Sequence, residues 1–477
     1  MKNINTFKAL FIFCVALALP GTAWSATLLE IYQQALQSDP QIHEAEARRL
    51  AALEAAPQAR GVLLPQISAG GDWTKTDSSG TSVEIDSDGS IGTLDTEFRA
   101  EETRWQFSLR QTLFRWDQIV GLRRADKVVT RAEAVRESAQ QDLIIRVAQR
   151  YFDVLAAEDR LTSIHADRQA IARRLEQAKQ RFEVGLIAIT DVQESQAAYD
   201  KSVADEIAAK RQLASAREFL REITGQHVTN LSAPKEDFPL RTPEPNSERD
   251  WVDLSLSQNL NLVASRLDEE LARDEISFRR NGHYPTVELV ASTGESDRSA
   301  DRNINNSPFF PVDSSGQQDS ISVQFNLPIF SGGTTSSRVR EAVFLHRASR
   351  EQLQRTTRET ERQARDAYLG VLSEISRVQA LEQAVASSRT ALQATQAGFD
   401  VGTRTIVDVL NSQFSLYAAI TNYYRSRYDY ILNALKLKQA AGTLQVQDLE
   451  EIDRWLEQRK TPEEQFAEET SAGASTR

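Results

Sequence analysis

The side chains that could carry out chemistry are few in this sequence, and their spacing fits no reaction centre. The histidines, which could bind a metal or transfer protons, have no metal-ligand spacing and stand far apart, at His43, His165, His227, His283 and His346. Neither a nucleophile elbow nor a glycine-rich phosphate loop occurs. The sequence therefore predicts a protein that is not an enzyme and has no cofactor and no metal site.

Two groups of charged residues have explanations other than catalysis. Arg404 and Asp408 are four residues apart, a spacing that on a helix gives a local ion pair of about 0.2–0.5 kcal/mol. The segment 76–103 holds eight acidic residues and one arginine, which a solvated loop explains without a cation site. The net charge of -12 disfavours nucleic acid as a partner.

The first 25 residues have the three parts of a secretory signal peptide. A start with two lysines precedes an apolar run from 10 to 19, and a small-x-small site ends at Ser25, after which we expect cleavage. The apolar run is about half as long as a membrane-spanning helix. The only cysteine, Cys14, lies within this segment, so the mature chain is predicted to have neither a disulfide nor a lipid anchor.

An internal duplication with an offset of about 217 residues organises the rest of the chain. Phe182-Glu-Val-Gly185 recurs as Phe399-Asp-Val-Gly402. Five residues that follow the first motif, Ile189, Asp191, Val192, Ser195 and Gln196, recur as Ile406, Asp408, Val409, Ser412 and Gln413. We therefore predict two structural repeats, 26–245 and 246–450.

Each repeat predicts the same order of elements: a helix, a strand, a polar loop, a second strand and a long helical hairpin. The strands are indicated by alternating apolar and polar residues. In the first repeat the predicted elements are the strand 66–75, the loop 76–103, the strand 104–114 and the hairpin 119–225. In the second they are the strand 286–295, the loop 296–318, the strand 319–330 and the hairpin 334–442. A disordered tail is predicted for 460–477.

The first helix of each hairpin is unusually long. Roughly 64 residues at 1.5 Å each extend about 96 Å, which is wider than a globular core. In the first hairpin the apolar residues Val154, Leu161, Leu175 and Phe182 are seven or fourteen apart, with one interruption at Arg168, and this heptad pattern indicates coiled-coil packing. A Val-Gly pair ends each long helix, because glycine suits the left-handed position past a helix end.

The strands pose a problem of closure. Four strands are too few to close a barrel, whereas three copies would supply 12, an even number within the range of outer-membrane barrels. No later stretch is apolar enough for a transmembrane helix. Aromatic residues at the strand ends suit a membrane interface: Trp73, Trp105, Phe114 and Trp116. A soluble sandwich with these residues in its core is the alternative, but helices of about 96 Å favour a protein that crosses the periplasm.

Four segments, Asn281–Pro285, Ala291–Gly294, Gly402–Leu410 and Ala441–Leu444, resemble the TolC family, and the resemblance extends from about 28 to 449. It implies an α+β membrane protein: a homotrimer with a 12-stranded outer-membrane β-barrel, four strands per protomer, continuous with a 12-helix periplasmic α-barrel. The segments 226–250 and 443–459 would form equatorial elements. The periplasmic end would be closed at rest.

The resemblance also implies a function. The protein would be an outer-membrane exit duct for tripartite efflux, type I protein secretion or both. It would be passive, and a periplasmic adaptor (membrane fusion protein) would connect it to an inner-membrane pump of the RND, ABC or MFS type. The alternative is a periplasmic coiled-coil adaptor or scaffold without a pore, since adaptors also have long helical hairpins. Alternating strands in both repeats argue against that alternative.

A gate at the periplasmic tip is a further implication of the resemblance. Arg404 would bridge to Thr190 and Asp191, and Asp408 would form a three-fold ring of carboxylates at the constriction. Two residues depart from the family pattern: Phe399 replaces a tyrosine whose hydroxyl helps to hold the tip, and Asn411 replaces a second acidic ring. The tip turns would dock the adaptor, although ordinary turn chemistry also explains them: Val184, Gly185, Leu186, Val401, Gly402 and Thr403.

Overall fold

The computed structural model describes residues 25–85, 89–228, 230–304, 310–459 and 462. The predicted signal peptide, apart from Ser25, and the predicted tail, apart from Pro462, lie outside the described residues. Two compact units are present. Of the described residues, those within 25–42, 139–255 and 361–462 form the helical unit, and those within 43–138 and 256–360 form the sheet unit. Among the described residues, no helix has the length and hydropathy that a membrane span requires.

The first half of the chain contains seven of the described elements. They are α1 (Leu28–Ser38), α2 (Pro40–Leu53), α3 (Ala55–Gly61), β1 (Gln66–Ile85), β2 (Ile91–Phe114), α4 (Trp116–Glu183) and α5 (Ile189–Thr224). The second half continues with β3 (Ala233–Pro234), α6 (Glu248–Gln258), α7 (Leu260–Arg280), a 3-10 turn (Asn281–His283), β4 (Thr286–Ile304), β5 (Phe310–Pro311), β6 (Ser314–Asn326), α8 (Thr334–Asp400), α9 (Ile406–Ala440), α10 (Val446–Asp453) and β7 (Leu456–Glu457). The long helices α4 and α8 have 68 and 67 residues, close to the roughly 64 predicted for the first helix of each hairpin.

The sheet unit is built on one antiparallel sheet. Its four long strands are arranged in the order β1, β2, β4, β6, and the two-residue strand β5 also pairs with β4. The register places Ile67 opposite Leu109, Leu109 opposite Ala291, and Ala291 opposite Ile321. A straight row of apolar side chains therefore crosses all four strands on one face.

The prediction of loops at 76–103 and 296–318 is wrong for most of their length, because the strands extend into both ranges. β1 and β2 pair without interruption from Gln66 opposite Arg110 to Ile85 opposite Ile91. The acidic residues find partners across the strands: Lys75 Nζ lies 2.9 Å from Glu101 Oε1, and the Thr81 hydroxyl donates to Asp95 over 2.6 Å. Cross-strand pairing of polar groups stabilises a strand that is exposed on both faces, and such pairing is not visible as alternation in the sequence.

The core of the helical unit is mostly aliphatic and also contains stacked aromatic rings and buried polar groups. Phe152 of α4 stacks on Tyr428 of α9, with ring centroids 5.5 Å apart. The Tyr428 hydroxyl donates over 2.5 Å to the buried carboxylate of Asp159, which also pairs with Arg459 beyond β7. The strands β3 and β7 pair with each other. The Asp159 carboxylate of α4 thus connects the C-terminal segment to α4 and α9.

The interruption of the heptad pattern at Arg168 has a structural reason. Glu206 of α5 is buried and is surrounded by three basic groups: Arg168 Nε at 2.5 Å, Lys210 Nζ at 2.8 Å and His165 Nδ1 at 3.3 Å. Burial acts to raise the pKa of Glu206, but the hydrogen bonds from Lys210 and His165 and the charge of Arg168 outweigh it and lower the pKa. An ionic cluster therefore replaces one apolar layer of the first hairpin.

Replacement of Glu206 by glutamine should destabilise the helical unit in a pH-dependent way. The change removes the buried carboxylate that Arg168, Lys210 and His165 share, at a cost of roughly 1–3 kcal/mol. Because the pKa of Glu206 is lowered below 4.5, its stabilising effect is complete above that pH and is lost as the pH falls through the lowered value. Thermal denaturation followed by circular dichroism should show a lower midpoint for E206Q at pH 7 and a smaller difference in acid.

The control for this prediction is Glu218→Gln on the same helix. Glu218 is exposed, and its contacts with Arg221 at 3.2 Å and His227 at 3.9 Å lie at the surface, where ion pairs contribute little. An equal loss in E218Q and E206Q, or an E206Q difference that stays constant into acid, would contradict a specific role of the Glu206 cluster.

Candidate gate at the tips of the helical hairpins

The two hairpin tips share their main-chain hydrogen bonds, apart from an additional one from the Arg404 N–H to the Gly398 carbonyl over 3.2 Å. After α4, Gly185 has φ 74° and donates to Phe182 over 2.9 Å. After α8, Gly402 has φ 79° and donates to Phe399 over 3.0 Å. In each turn the next residue donates back into the last turn of the helix, at 2.9 Å and 2.8 Å. This is the glycine-dependent helix end that the two Val-Gly motifs predict.

The residues predicted to dock an adaptor lie on these turns and are open to solvent. Val184 is 70% exposed, Leu186 72% and Val401 75%. A Cβ added at Gly185 or Gly402 would meet nothing within 4 Å. Thr403 completes the set of turn residues, and its hydroxyl donates to the Gly398 carbonyl over 3.0 Å. Both turns thus present apolar side chains that make no core contact in their own chain.

Asp408 has a local role at the start of α9. Its carboxylate accepts from the Thr405 backbone N–H over 2.9 Å and from the Thr405 hydroxyl over 3.0 Å, and the hydroxyl accepts in return from the Asp408 N–H over 3.2 Å. This is a reciprocal capping box. These hydrogen bonds, the backbone one most strongly, lower the pKa of Asp408, and the charge of Arg404 lowers it further. Asp408 is therefore ionised at neutral pH.

Arg404 precedes α9, and its aliphatic part lies next to Gly398. A Cβ added at Gly398 would lie 2.8 Å from Arg404 Cγ, so the absence of a side chain at Gly398 makes room for the arginine. In the part of the chain that is described, the guanidinium forms no ion pair and no hydrogen bond. The alternative of an i,i+4 helix pair with Asp408 is therefore wrong, because Arg404 is not part of the helix.

The contacts predicted for Arg404 with Thr190 and Asp191 are likewise not formed within one chain. Both residues lie in the first turn of α5, where Asp191 is the acidic residue next to the helix N-terminus. Asn411 is exposed on α9, one turn beyond Asp408. Within the described ranges, no group of three or more histidine, cysteine or acidic residues could hold a metal ion.

Sequence reasoning missed the residues that connect the two hairpins near their tips. Arg181 of α4 forms an ion pair with Asp400 at 3.4 Å, and its guanidinium carbon lies 5.3 Å from the centroid of the Phe399 ring. One to two turns further from the tip, Arg174 donates to Gln396 over 2.6 Å. Arg181 directly precedes the first Phe-x-Val-Gly motif, and Asp400 is the acidic residue within the second. This placement was the sequence signal for the ion pair.

A second connection joins α4 to α9. The Gln413 amide donates over 2.5 Å to the Asp167 carboxylate and over 3.2 Å to the Asp167 carbonyl. Burial raises the pKa of Asp167, and the hydrogen bond from Gln413 opposes that shift. The second hairpin is therefore attached to the first through several polar contacts within a single chain.

Comparison with known proteins gives consistent matches. The family model described as outer membrane efflux protein matches residues 31–226 and again 251–443, once for each repeat. The outer membrane protein TolC of Vibrio cholerae serotype O1 is 37% identical over 458 residues, which cover 94% of this chain and 98% of that protein. The alkaline protease secretion protein AprF of Pseudomonas aeruginosa is 29% identical over 456 residues, covering 94% and 90%.

A solved structure extends the likeness to the fold. The outer membrane protein VceC of Vibrio cholerae matches with a TM-score of 0.69 and 19% identity, covering 87% of this chain and 96% of that one. Because the family model matches both repeats, and because a relative shares more than a third of its residues across almost the whole chain, the chain belongs to the outer membrane efflux protein family. It is located in the outer membrane, where it acts as an exit duct for efflux and secretion, and it is not an enzyme.

Proposed function

We propose that three copies of this chain form a homotrimer whose sheets close a 12-stranded barrel in the outer membrane and whose helices form a 12-helix periplasmic tunnel. The observation that carries this proposal is the amphipathic sheet with two free edges. Within the described residues, β1 pairs only with β2, and β6 pairs only with β4. In lipid every main-chain polar group needs a partner, and four strands cannot close on themselves. Neighbouring copies would supply the missing partners.

The two faces of the sheet have the chemistry that a lipid-embedded wall requires. On one face, Ile67 and Ile321 are 73% and 76% exposed, in the same row. The adjacent row on the other face consists of serines, with hydroxyl oxygens 2.7 Å apart in the first pair and 2.8 Å in the second: Ser68 with Ser108, and Ser292 with Ser320. Lipid outside and water inside would satisfy both faces.

The aromatic residues bracket this apolar band. Trp73 and Trp105 are exposed on the apolar face, six residues from Ile67 and four residues from Leu109 along their strands, and Phe114 ends β2 at the other end of the band. Trp105 and Phe114 are nine residues apart. Nine residues of strand extend roughly 30 Å, and a tilt of about 40° reduces this to roughly 23 Å along the membrane normal, close to the height of the apolar band of outer-membrane barrels. Trp116 is the first residue of α4, and its indole donates to Ser277 over 3.3 Å. These four aromatics would mark the membrane interfaces.

An arginine placed on either face tests the barrel. Ile321→Arg should reduce the amount of assembled protein in the outer membrane, because a cation on the lipid face of a barrel costs about 2–4 kcal/mol near the midplane. Ser320→Arg, at the neighbouring position on the polar face, is the matched control and should assemble nearly as the wild type does. Membrane fractionation followed by electrophoresis without heating measures the assembled form. Equal loss in both variants would argue against lipid on the Ile321 face.

The proposed duct is passive and depends on partners for energy. Its tip turns would dock a periplasmic adaptor (membrane fusion protein), which would connect it to an inner-membrane pump of the RND, ABC or MFS type. The exposed apolar residues Val184, Leu186 and Val401 support this proposal. AprF is by its name a protease secretion protein, so a secreted protein is one cargo class to consider.

The gate would operate between subunits. Arg404 would contact Thr190 and Asp191 of a neighbouring subunit, which would give its guanidinium the partners that its own chain lacks. The Arg181 contacts with Asp400 and Phe399 would hold the second hairpin within each subunit, taking over the role of the tyrosine hydroxyl that Phe399 does not have. Three Asp408 carboxylates around the axis would repel one another and attract cations.

Loss of the Arg404 contacts should open the tip. Arg404→Ser is expected to raise the single-channel conductance in planar lipid bilayers, because the second hairpins would move outward. Arg404→Lys retains a cation and should lie closer to the wild type. Arg389→Ser, at an exposed arginine of α8, is the control and should leave the conductance unchanged. An unchanged conductance in R404S would refute the proposed gate role, and a protein that never enters bilayers would refute the duct.

Asp408 should set the ion selectivity of the pore. Asp408→Asn retains a side-chain oxygen for the helix cap but removes the charge. The reversal potential in a salt gradient should therefore shift toward zero, as in a pore without ion selectivity. Asn411→Asp adds a second carboxylate ring and should shift it the other way. Hydrogen bonds from Thr405 lower the pKa of Asp408, whereas repulsion within the ring would raise it, so the wild-type cation selectivity should be lost in acid as the carboxylates become protonated. Equal reversal potentials in D408N and the wild type would contradict the carboxylate ring.

A further inference from the structure

A groove of about 380 Å³ lies along α4 between α5 and α9 in the helical unit. Its volume is within the range of small-molecule sites. All three helices belong to one chain and one unit, so the groove requires no partner for its formation. None of the contacts assigned above to the gate, the tip turns or the sheet involves the residues that line it.

The floor and the side walls of the groove differ in polarity. The floor is formed by small apolar side chains, Ala156 and Ala157 of α4 and Ala216 of α5, which allow a ligand to approach the helices closely. The walls carry hydrogen-bonding groups from both flanking helices: Gln212, Ser215, Thr421 and Asn422. Phe219 lines one end and is 48% exposed, although it is a large aromatic residue.

The charges in the groove are mostly positive. Arg425 is satisfied internally, because it donates over 2.9 Å to Asp153 and over 3.0 Å to Asp429. The guanidinium carbon of Arg150 lies 4.6 Å from the centroid of the Phe219 ring, a cation–π contact. Arg160 is exposed, and in the described part of the chain it forms no ion pair. Two arginines are therefore left without a carboxylate at this surface.

The helix registers separate the groove into a polar end and an aromatic end. The ion pair of Arg217 with Glu158, at 3.0 Å, aligns α5 so that Gln212 and Ser215 lie toward Arg160. The Arg425–Asp153 pair aligns α9 so that Thr421 and Asn422 lie about one turn closer to Arg160. On α4, Arg160 lies seven residues after Asp153, the partner of Arg425. This is a rise of about 10 Å, which is about the length of a bicyclic aromatic acid.

We propose that this groove binds an amphipathic organic anion, that is, an aromatic ring system with one carboxylate or sulfonate group. The anionic group is bound at Arg160, where amide and hydroxyl donors are close by. The ring lies over the alanine floor and meets Phe219 at the far end, where aromatic contact favours a flat ligand. A charged guanidinium and a sulfonate or carboxylate form the stronger class of hydrogen bond.

Isothermal titration calorimetry of the full mature protein in lipid nanodiscs, with 2-naphthalenesulfonate as the probe, tests this proposal. Saturable heat above that of empty nanodiscs is expected. Arg160→Gln should weaken binding about tenfold or more, and Phe219→Leu should weaken it by a smaller factor. Arg160→Lys, which retains the positive charge, should bind more tightly than R160Q. The neutral analogue 2-naphthalenemethanol should bind more weakly than the sulfonate.

The control variant is Arg211→Gln, which removes an exposed arginine of α5 that does not line the groove. It should bind the probe as the wild type does, and circular dichroism should show that all variants remain folded. Heat equal to that of empty nanodiscs would overturn the proposal. Equal affinities in R160Q and the wild type, or equal losses in R160Q and R211Q, would overturn it as well, because each would show that the probe does not bind at Arg160.

Discussion

The main-chain hydrogen bonds at the two edges of the sheet are the constraint on which the proposed assembly depends. Inside the sheet each long strand is satisfied by its neighbour, but β1 and β6 each have one side without a partner among the described residues. Water can satisfy such groups, whereas lipid cannot. The apolar row that contains Ile67 and Ile321 favours lipid on one face. A sheet with these properties is stable in a membrane only if its edges meet the edges of other copies.

The helices of the two hairpins depend on a different constraint, because their long amphipathic surfaces must pack in a single register. A purely apolar seam permits a shift by one heptad at low cost, whereas a buried ionic group must meet its own partners. Glu206 has such a role in the first hairpin, and Asp159 has it where Tyr428 and Arg459 meet α4. Polar residues in these seams are therefore compatible with the stability of the helices, because each is surrounded by charges or donors that only one alignment supplies.

Periodicity predicted most of the fold, and the exceptions have a common physical cause. The long helices, their turns at Gly185 and Gly402 and the alternating strands follow from residue spacing within one segment. The strand extensions through 76–103 were missed because their stability comes from partners on another strand, such as Glu101 for Lys75. At the tips, the single sequence indicated Arg404 and Asp408 but neither the capping role of Asp408 nor the ion pair of Arg181 with a residue 219 positions away.

The same ancestral backbone has acquired two different tips through the side chains at equivalent positions. Residues 181 and 398 are 217 apart, the offset of the duplication, and the backbone hydrogen bonds of the two turns agree at this point. The first copy has an arginine there, which reaches Asp400 of the second hairpin. The second copy has glycine, and a Cβ at that site would lie 2.8 Å from the side chain of Arg404. One position thus provides a connection between the hairpins in one copy, and in the other it leaves space for the side chain of Arg404.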